Sequence, residues 1–171
     1  MGKLNCAIDT SAAISLGSTG KFQLATKFFS FMSTSRVRNE LIEISETADK
    51  LGDIADNILK LSMIDFVKIE KEFQSSKGEI EVINLANKLN ADLVLMDDIE
   101  ARKKLQKHCN APIKFSPFII FTLCEKKALT YKEGLSAIEN MKRKRDWKEN
   151  LITEYAKMLF ENGNKIGSVF D

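Results

Sequence analysis

The chain has 171 residues, a length that suits one domain, and 26 Lys and Arg against 24 Asp and Glu give a net charge of +2, which is too small to indicate a polyanionic partner by itself. Hydrophobic residues make up 44%, no apolar run approaches the roughly 20 residues of a transmembrane helix, and the start of the chain does not resemble a signal peptide, so we expect a cytoplasmic protein without membrane contact. Three scattered cysteines and one histidine disfavour a disulfide framework, a zinc site and histidine-based catalysis, which leaves carboxylates for any chemistry.

Short apolar runs alternate with helical patterns along the chain. The first part predicts, in chain order, a strand at 4–9, a loop or helix start at 10–20, helices at 34–46 and 47–62, a strand at 66–69 and a turn at 75–78. The second part predicts a helix at 79–90, strands at 92–96 and 113–115 separated by a helix at 99–108, and helices at 117–127, 131–143 and 147–162. No linker divides the chain, so we predict one domain over 1–171, with a core at about 1–127 and C-terminal helices at about 128–171.

Short strands separated by helices predict an α/β fold in which a parallel sheet is covered by helices on both faces. Ligands of such sheets bind beyond the carboxyl ends of the strands. Asp9 follows the first predicted strand, and the pair Asp97 and Asp98 follows a later one. The sequence therefore places carboxylates at the edge of the sheet where a ligand is expected.

Two glutamates fall on the apolar faces of predicted helices, where a carboxylate must be neutralised, hydrogen-bonded or matched to a cation. At about 100° per residue, Glu40 lies beside Val37 on the apolar stripe of its helix. Glu79 projects into the apolar arc that includes Val82, whereas Glu81 is predicted to turn to the opposite side. The acids that can converge in one cleft, and so indicate a divalent metal site, are Asp9, Glu40, Glu79 and Asp98.

Each of these acids also has a purely structural explanation. Asp9, and either Asp97 or Asp98, can cap the helix that follows. Ser76 and Glu79 fit a capping box, and Glu40 can pair with a neighbouring arginine, Arg36 or Arg38. A mid-helix acid has no capping role, however, and the conjunction of all four acids favours a functional site.

Four motifs occur in an order that is known from one family. They are Cys-Ala-Ile-Asp-Thr-Ser at 6–11, Val-Arg-Asn-Glu-Leu at 37–41, Gly-Glu-Ile-Glu-Val-Ile-Asn-Leu-Ala at 78–86 and Ala-Asp-Leu-Val-Leu-Met-Asp-Asp-Ile-Glu-Ala-Arg at 91–102. The chain resembles a PIN domain over essentially its whole length, and most of all the prokaryotic and archaeal branch of toxin-type ribonucleases.

The resemblance implies a three-layer α/β/α sandwich around a short parallel sheet and a metal-dependent nuclease that hydrolyses RNA. Asp9, Glu40, Glu79 and Asp98 match the family's acidic quartet in order, although many relatives carry aspartate in the third place. Either Asp97 or Asp98 of the pair could face the cleft, so both are candidate metal ligands. Oxygen-only ligands select Mg²⁺ or Mn²⁺ over zinc.

Contacts to the substrate are predicted at three places. The resemblance implies that Thr10 or Ser11 binds metal-bound water or phosphate. Arg102, one turn beyond Asp98, is a phosphate contact by position, unless it only pairs with an acid. The basic run at 142–145 with Trp147 and Lys148 could track a phosphate backbone, although a solvated helix end with a packed tryptophan is the favoured reading, and Lys77 is a weaker candidate.

The expected partners are RNA, a second copy of the chain in a homodimer and, if the protein is the toxin of a toxin–antitoxin pair, a small antitoxin in the cleft; all three follow from the resemblance. The alternative function is a PIN-fold module that binds RNA or a protein without cleavage. A phosphatase of the haloacid dehalogenase type needs a second aspartate where this chain has Ser11, and a receiver domain needs its acid pair after the first strand. Both are disfavoured.

Overall fold

The computed structural model describes residues 2–68, 70 and 77–167. In this part of the chain five strands form one sheet: β1 (Leu4–Ile8), β2 (Phe29–Thr34), β3 (Asp65–Val67), β4 (Leu93–Leu95) and β5 (Ile113–Lys114). The strand order is β3-β2-β1-β4-β5, and every neighbouring pair is parallel. The chain changes direction across the sheet at β1, which creates a crevice beyond the carboxyl ends of β1 and β4.

Helices cover both faces of this sheet. In chain order they are α1 (Thr10–Ser18), α2 (Phe22–Ala25), α3 (Ser35–Ser45), α4 (Lys50–Lys60), α5 (Gly78–Lys88), α6 (Ile99–Leu105), α7 (Pro117–Glu125), α8 (Tyr131–Lys144) and α9 (Leu151–Gly167), with a 3₁₀ turn at Gln106–His108. Helices α1, α3 and α4 contact one another, and α5 contacts β1, β2 and β4. Because right-handed crossovers in opposite directions cover opposite faces, α1–α4 and α5–α6 form the two outer layers of the predicted α/β/α sandwich.

The core lies between these layers and continues into the C-terminal helices. Val94 and Leu95 of β4 are completely buried, as expected for a central strand covered on both faces. Phe121 of α7 meets Phe160 of α9 edge to face with ring centroids 5.7 Å apart, and Phe160 belongs to the same apolar cluster as β1. Among the described residues, no helix is both long and apolar enough to cross a membrane.

The α/β prediction is confirmed, but one strand was not predicted. The four predicted strands appear with bounds that differ by one or two residues, and α1 begins directly at Thr10, whereas β2 and α2 lie in a segment for which the sequence predicted no element. Polar residues interrupt the apolar pattern of β2, yet Ser33 is fully buried because its hydroxyl donates to the Ile8 carbonyl oxygen at 2.5 Å. Ile69 of the predicted strand at 66–69, and 75–76 of the predicted turn, lie outside the described residues.

Candidate functional site

Four acidic residues line one small pocket at the carboxyl edge of the sheet. The pocket has a volume of about 130 Å³ and is lined by Asp9, Thr10, Ser11, Val37, Glu40, Gly78, Glu79 and Asp98. We call it the acid pocket. The structure thus brings together the four acids and the two hydroxyl residues that the sequence singled out, from elements that are distant along the chain.

Asp9 lies at the floor of the acid pocket, directly after β1, and is 4% exposed. Its carboxylate caps α1 by accepting a hydrogen bond from the Ala12 N–H at 2.7 Å, and the Ser11 hydroxyl donates to it at 3.1 Å. Burial raises the pKa of Asp9 to about 8, the charges of Asp97 and Glu79 raise it as well, and the bonds from Ala12 and Ser11 lower it. Asp9 is therefore both a helix cap and an acid whose ionisation calls for a nearby cation.

Glu40 reaches the pocket from the middle of α3. This helix begins after β2, where the Thr34 hydroxyl accepts a hydrogen bond from the Val37 N–H at 3.3 Å. The Thr10 hydroxyl donates to Oε2 of Glu40, which fixes the carboxylate against the start of α1. A Cβ at position 78 would lie 3.0 Å from Oε1 of Glu40, so glycine at that position lets α5 approach α3 closely. Glu40, which as a mid-helix acid caps no helix, is thus held at a fixed position in the acid pocket.

Glu79 enters the pocket from the first turn of α5. The N-cap of this helix is Lys77, and no side chain caps it, which places Glu79 at the second helical position. The predicted capping box requires the glutamate at the third helical position. The other member of that capping box, Ser76, lies outside the described residues, so the box stays a prediction.

Asp98 is the exposed acid of the pocket and the N-cap of α6. Its carboxylate accepts a hydrogen bond from the Ala101 N–H at 2.8 Å. The structural and functional readings of this residue are compatible, because a capping carboxylate keeps free lone pairs directed to the cleft.

Asp97 does not line the acid pocket. It is 7% exposed, and its carboxylate accepts hydrogen bonds from the Ser116 N–H at 2.8 Å and the Ser116 hydroxyl at 2.7 Å. Burial raises the pKa of Asp97, while the bonds from Ser116 and Ser15 and the charge of Arg145 lower it. Of the predicted pair, Asp98 faces the cleft, and Asp97 anchors the end of β4 to the start of α7.

Arg102, predicted as a phosphate contact, is also placed elsewhere. Its Nε donates to the Ile113 carbonyl oxygen at 3.2 Å, and its guanidinium carbon lies 4.3 Å from the ring centroid of Phe115. The side chain lines a different cavity, which includes Leu151 at the start of α9. The contacts with Ile113 and Phe115 hold the guanidinium away from the acid pocket, although Arg102 lies one turn beyond Asp98.

The predicted basic run at 142–145 lies away from the acid pocket as well. The Arg145 guanidinium carbon lies 5.8 Å from the ring centroid of Trp147, and Lys144 lines a separate cavity with Ile54 and Leu61 of the α4 region. This agrees with the reading of the run as a helix end beside a packed tryptophan.

Sequence reasoning missed one ion pair next to the pocket. Glu81 was expected to point away from the apolar arc, but it is buried, and its Oε1 lies 3.3 Å from Nε of Arg36 on α3. The side chain of Glu81 is 5% exposed, whereas that of Arg36 is 42% exposed. The pair joins α3 to α5, the two helices that carry Glu40 and Glu79. The signal that could have revealed it is an arginine one turn before Glu40.

Replacing Glu81 with Gln should lower the free energy of unfolding by about 1–3 kcal/mol, because a hydrogen bond between charged groups is lost and a buried polar group is left less well paired. Urea denaturation measures this change. The matched control is Asp56→Asn, which breaks the exposed pair between Lys60 and Asp56 and should change stability by less than about 1 kcal/mol. Equal effects of both variants would show that the Arg36–Glu81 pair has no special structural role.

The residues of the acid pocket fit a hard divalent cation in chemistry and charge. All the polar side chains of the pocket offer oxygen atoms as metal ligands. Asp9 is a buried carboxylate whose pKa is raised by burial and by the charges of two further acids, Asp97 and Glu79. Within the described residues, no three His, Cys, Asp or Glu side chains already stand at the spacing of a metal site. Binding would therefore draw the four carboxylates closer together than they stand here.

A comparison with known families matches the chain to the family described as DUF3368, a PIN domain, over residues 6–160. This range includes β1 from Cys6 onward, the other four strands and every residue of the acid pocket. No curated protein matches the chain. PIN domains are generally nucleases that bind a divalent metal. The match covers most of the chain and confirms the predicted family: the protein belongs to the PIN-domain family.

Proposed function

We propose that this protein is a Mg²⁺- or Mn²⁺-dependent endoribonuclease that hydrolyses phosphodiester bonds of single-stranded or structured RNA in the acid pocket. The observation that carries the proposal is the convergence of Asp9, Glu40, Glu79 and Asp98 on one pocket of a PIN domain. Its position beyond β1 and β4 is the place where parallel sheets bind ligands.

The four acids would hold the metal, and bound divalent ions supply an activated water and charge stabilisation at the leaving oxygen. The chain itself fixes the carboxylates. Ser11 and the Ala12 N–H orient Asp9, the Thr10 hydroxyl holds Glu40, and the Ala101 N–H holds Asp98. Burial of Asp9 lowers the local dielectric, which strengthens its interaction with a cation.

The test is cleavage of a panel of fluorescent single-stranded RNAs by the wild-type protein with Mg²⁺, Mn²⁺ or EDTA. We expect cleavage with either metal and none in EDTA. Undiminished cleavage in EDTA would contradict the proposal, because the carboxylates alone provide no strong nucleophile at neutral pH.

A second candidate function is binding of RNA or a protein partner without cleavage. It is favoured by one observation, namely that no three acids among the described residues are already grouped at metal-ligand spacing. A folded wild-type protein that binds Mn²⁺ but cuts no RNA of the panel would favour this function over hydrolysis.

A further inference from the structure

A second, larger groove opens from the acid pocket along α6. Its volume is about 730 Å³, and it shares Glu40, Gly78, Glu79 and Asp98 with the acid pocket. Lys77 and Arg36 line it close to these acids, and Glu100 lines it on the first turn of α6. Further along α6 and the 3₁₀ turn it is lined by Lys104, Lys107 and His108, which we call the basic groove. One continuous cleft therefore joins the carboxylates of the acid pocket to these basic side chains.

The two lysines of the basic groove are exposed and open to an anionic ligand. Within the described part of the chain, neither Lys104 nor Lys107 has a salt-bridge partner, whereas their neighbour Lys103 pairs with Glu100 at 3.2 Å. Both residues are exposed, and both are held on α6 or the 3₁₀ turn that follows it. Lys104 lies about 9 Å along the helix axis from Asp98, given a rise of about 1.5 Å per residue.

Apolar side chains lie between the two charged ends. Ile80 of α5 and Ala101 and Leu105 of α6 line the same groove. Such a surface suits the ribose and base faces of a nucleotide, whose phosphate remains at the polar rim.

We propose that the basic groove binds the backbone of a single-stranded RNA on one side of the bond that is cut, with Lys104 and Lys107 contacting its phosphates. The inference rests on the proposed function, since that function places the reacting phosphate at the acid end. A strand with regularly spaced negative charges then brings its flanking phosphates to the lysines. An acidic peptide fits less well, because the proposed function already places a phosphodiester at the acid end of the same cleft.

The test compares two double variants that remove equal charge. Lys104→Gln with Lys107→Gln alters the basic groove, and Lys142→Gln with Lys144→Gln alters the distant basic run. Binding of a short fluorescein-labelled single-stranded RNA is measured by anisotropy in EDTA between about 50 and 200 mM salt, and cleavage is measured with Mn²⁺.

For the groove variant we expect affinity to fall about 10-fold and the slope of log K against log salt to fall by about 1.4, since each phosphate contact to a single strand contributes about 0.7. KM should rise about 10-fold with kcat unchanged, and the control variant should behave as the wild type.

The outcomes separate this proposal from the proposed function. If the wild type cuts RNA and the groove variant binds and cuts equally well, the proposed RNA-binding role of the basic groove is wrong and the proposed nuclease activity is supported. If the wild type binds RNA through these lysines but cuts none, the proposed RNA-binding role of the basic groove is supported and the proposed hydrolysis of RNA is wrong. Binding of polyglutamate in place of RNA, lost in the groove variant, would overturn the proposal in favour of an acidic protein partner.

Discussion

Asp98→Asn is expected to reduce metal-dependent RNA cleavage by at least about 100-fold while leaving the fold intact. Loss of an outer-shell partner of a metal site commonly lowers affinity or activity by roughly 10- to 100-fold, and a direct carboxylate ligand should matter at least as much. Asn retains the N-cap of α6, because its side-chain oxygen can still accept from the Ala101 N–H. The loss should therefore report the missing charge rather than a frayed helix, and single-turnover cleavage with Mn²⁺ measures it.

The chain offers a matched control for this experiment. Asp49 is the N-cap of α4 and accepts from the N–H groups of Leu51 and Gly52, but it lines neither the acid pocket nor the basic groove. Asp49→Asn makes the same chemical change at the same kind of position and should leave cleavage within about twofold of the wild type. Full activity of Asp98→Asn would remove this residue from the metal site.

The metal-free protein should lose stability as the pH rises from about 4 to 8. Asp9 has a pKa of about 8 when folded and 3.8 as its ordinary value, so in this window the folded chain binds more protons than the unfolded chain. Stability then falls with rising pH, by up to about 1.4 kcal/mol for each unit of pKa difference. Asp97, whose pKa is also raised by burial, acts in the same direction. Urea denaturation in EDTA at a series of pH values measures the loss.

Asp9→Asn should remove most of this pH dependence and stabilise the metal-free protein at pH 8, although it is expected to abolish cleavage. Asn keeps the hydrogen bond from the Ala12 N–H and carries no charge into the buried floor of the pocket. In the wild type, Mn²⁺ or Mg²⁺ at about 100 times its Kd should restore roughly 2.7 kcal/mol at pH 8. A flat pH profile of the wild type in EDTA would contradict the protonated state of Asp9.

At lower pH, three other carboxyl groups make the stability of the metal-free protein rise with pH; they are Asp49, Glu133 and Glu149. Hydrogen bonds lower the pKa of each carboxyl group, chiefly from the Gly52 N–H, the Thr130 N–H and Lys157 respectively. Their stabilisation is present above the ordinary pKa and is lost as the pH falls below about 4. The metal-free protein should therefore be most stable in a narrow acidic range.

The order of strands and helices could largely be predicted, because buried parallel strands are short apolar runs and the helices show clear periodicity. The exceptions are α2 and β2, and β2 shows which signal is weak. Its Ser30, Ser33 and Thr34 interrupt the apolar run, and their fit depends on partners that only the folded sheet provides, such as the Ile8 carbonyl oxygen for Ser33. Local pattern alone does not contain that information.

The convergence of the four acids on one pocket could be predicted from the sequence, whereas the role proposed for the exposed Lys104 and Lys107 could not. The four acids could be found because each follows a strand or lies on an apolar helix face. Glu81 and Arg102 were misplaced because angular position on a single helix ignores what the neighbouring elements supply, here Arg36 from α3 and the ring of Phe115. The lysines of the basic groove carry no periodic signal, since exposed lysines are common on any helix.

The pairing of β1 with β4 has a consequence for the newly made protein. Asn5 of β1 donates its N–H to the carboxylate of Asp92, which directly precedes β4 and is 87 residues away along the chain. This bond supports the same strand pair that brings Asp9 near Asp98. A nascent chain on the ribosome has no complete acid pocket until more than half of the protein has emerged. Fragments that end before β4 lack Asp98 and cannot assemble the four carboxylates, so under the proposed function the nascent chain cannot cut RNA during most of its own translation.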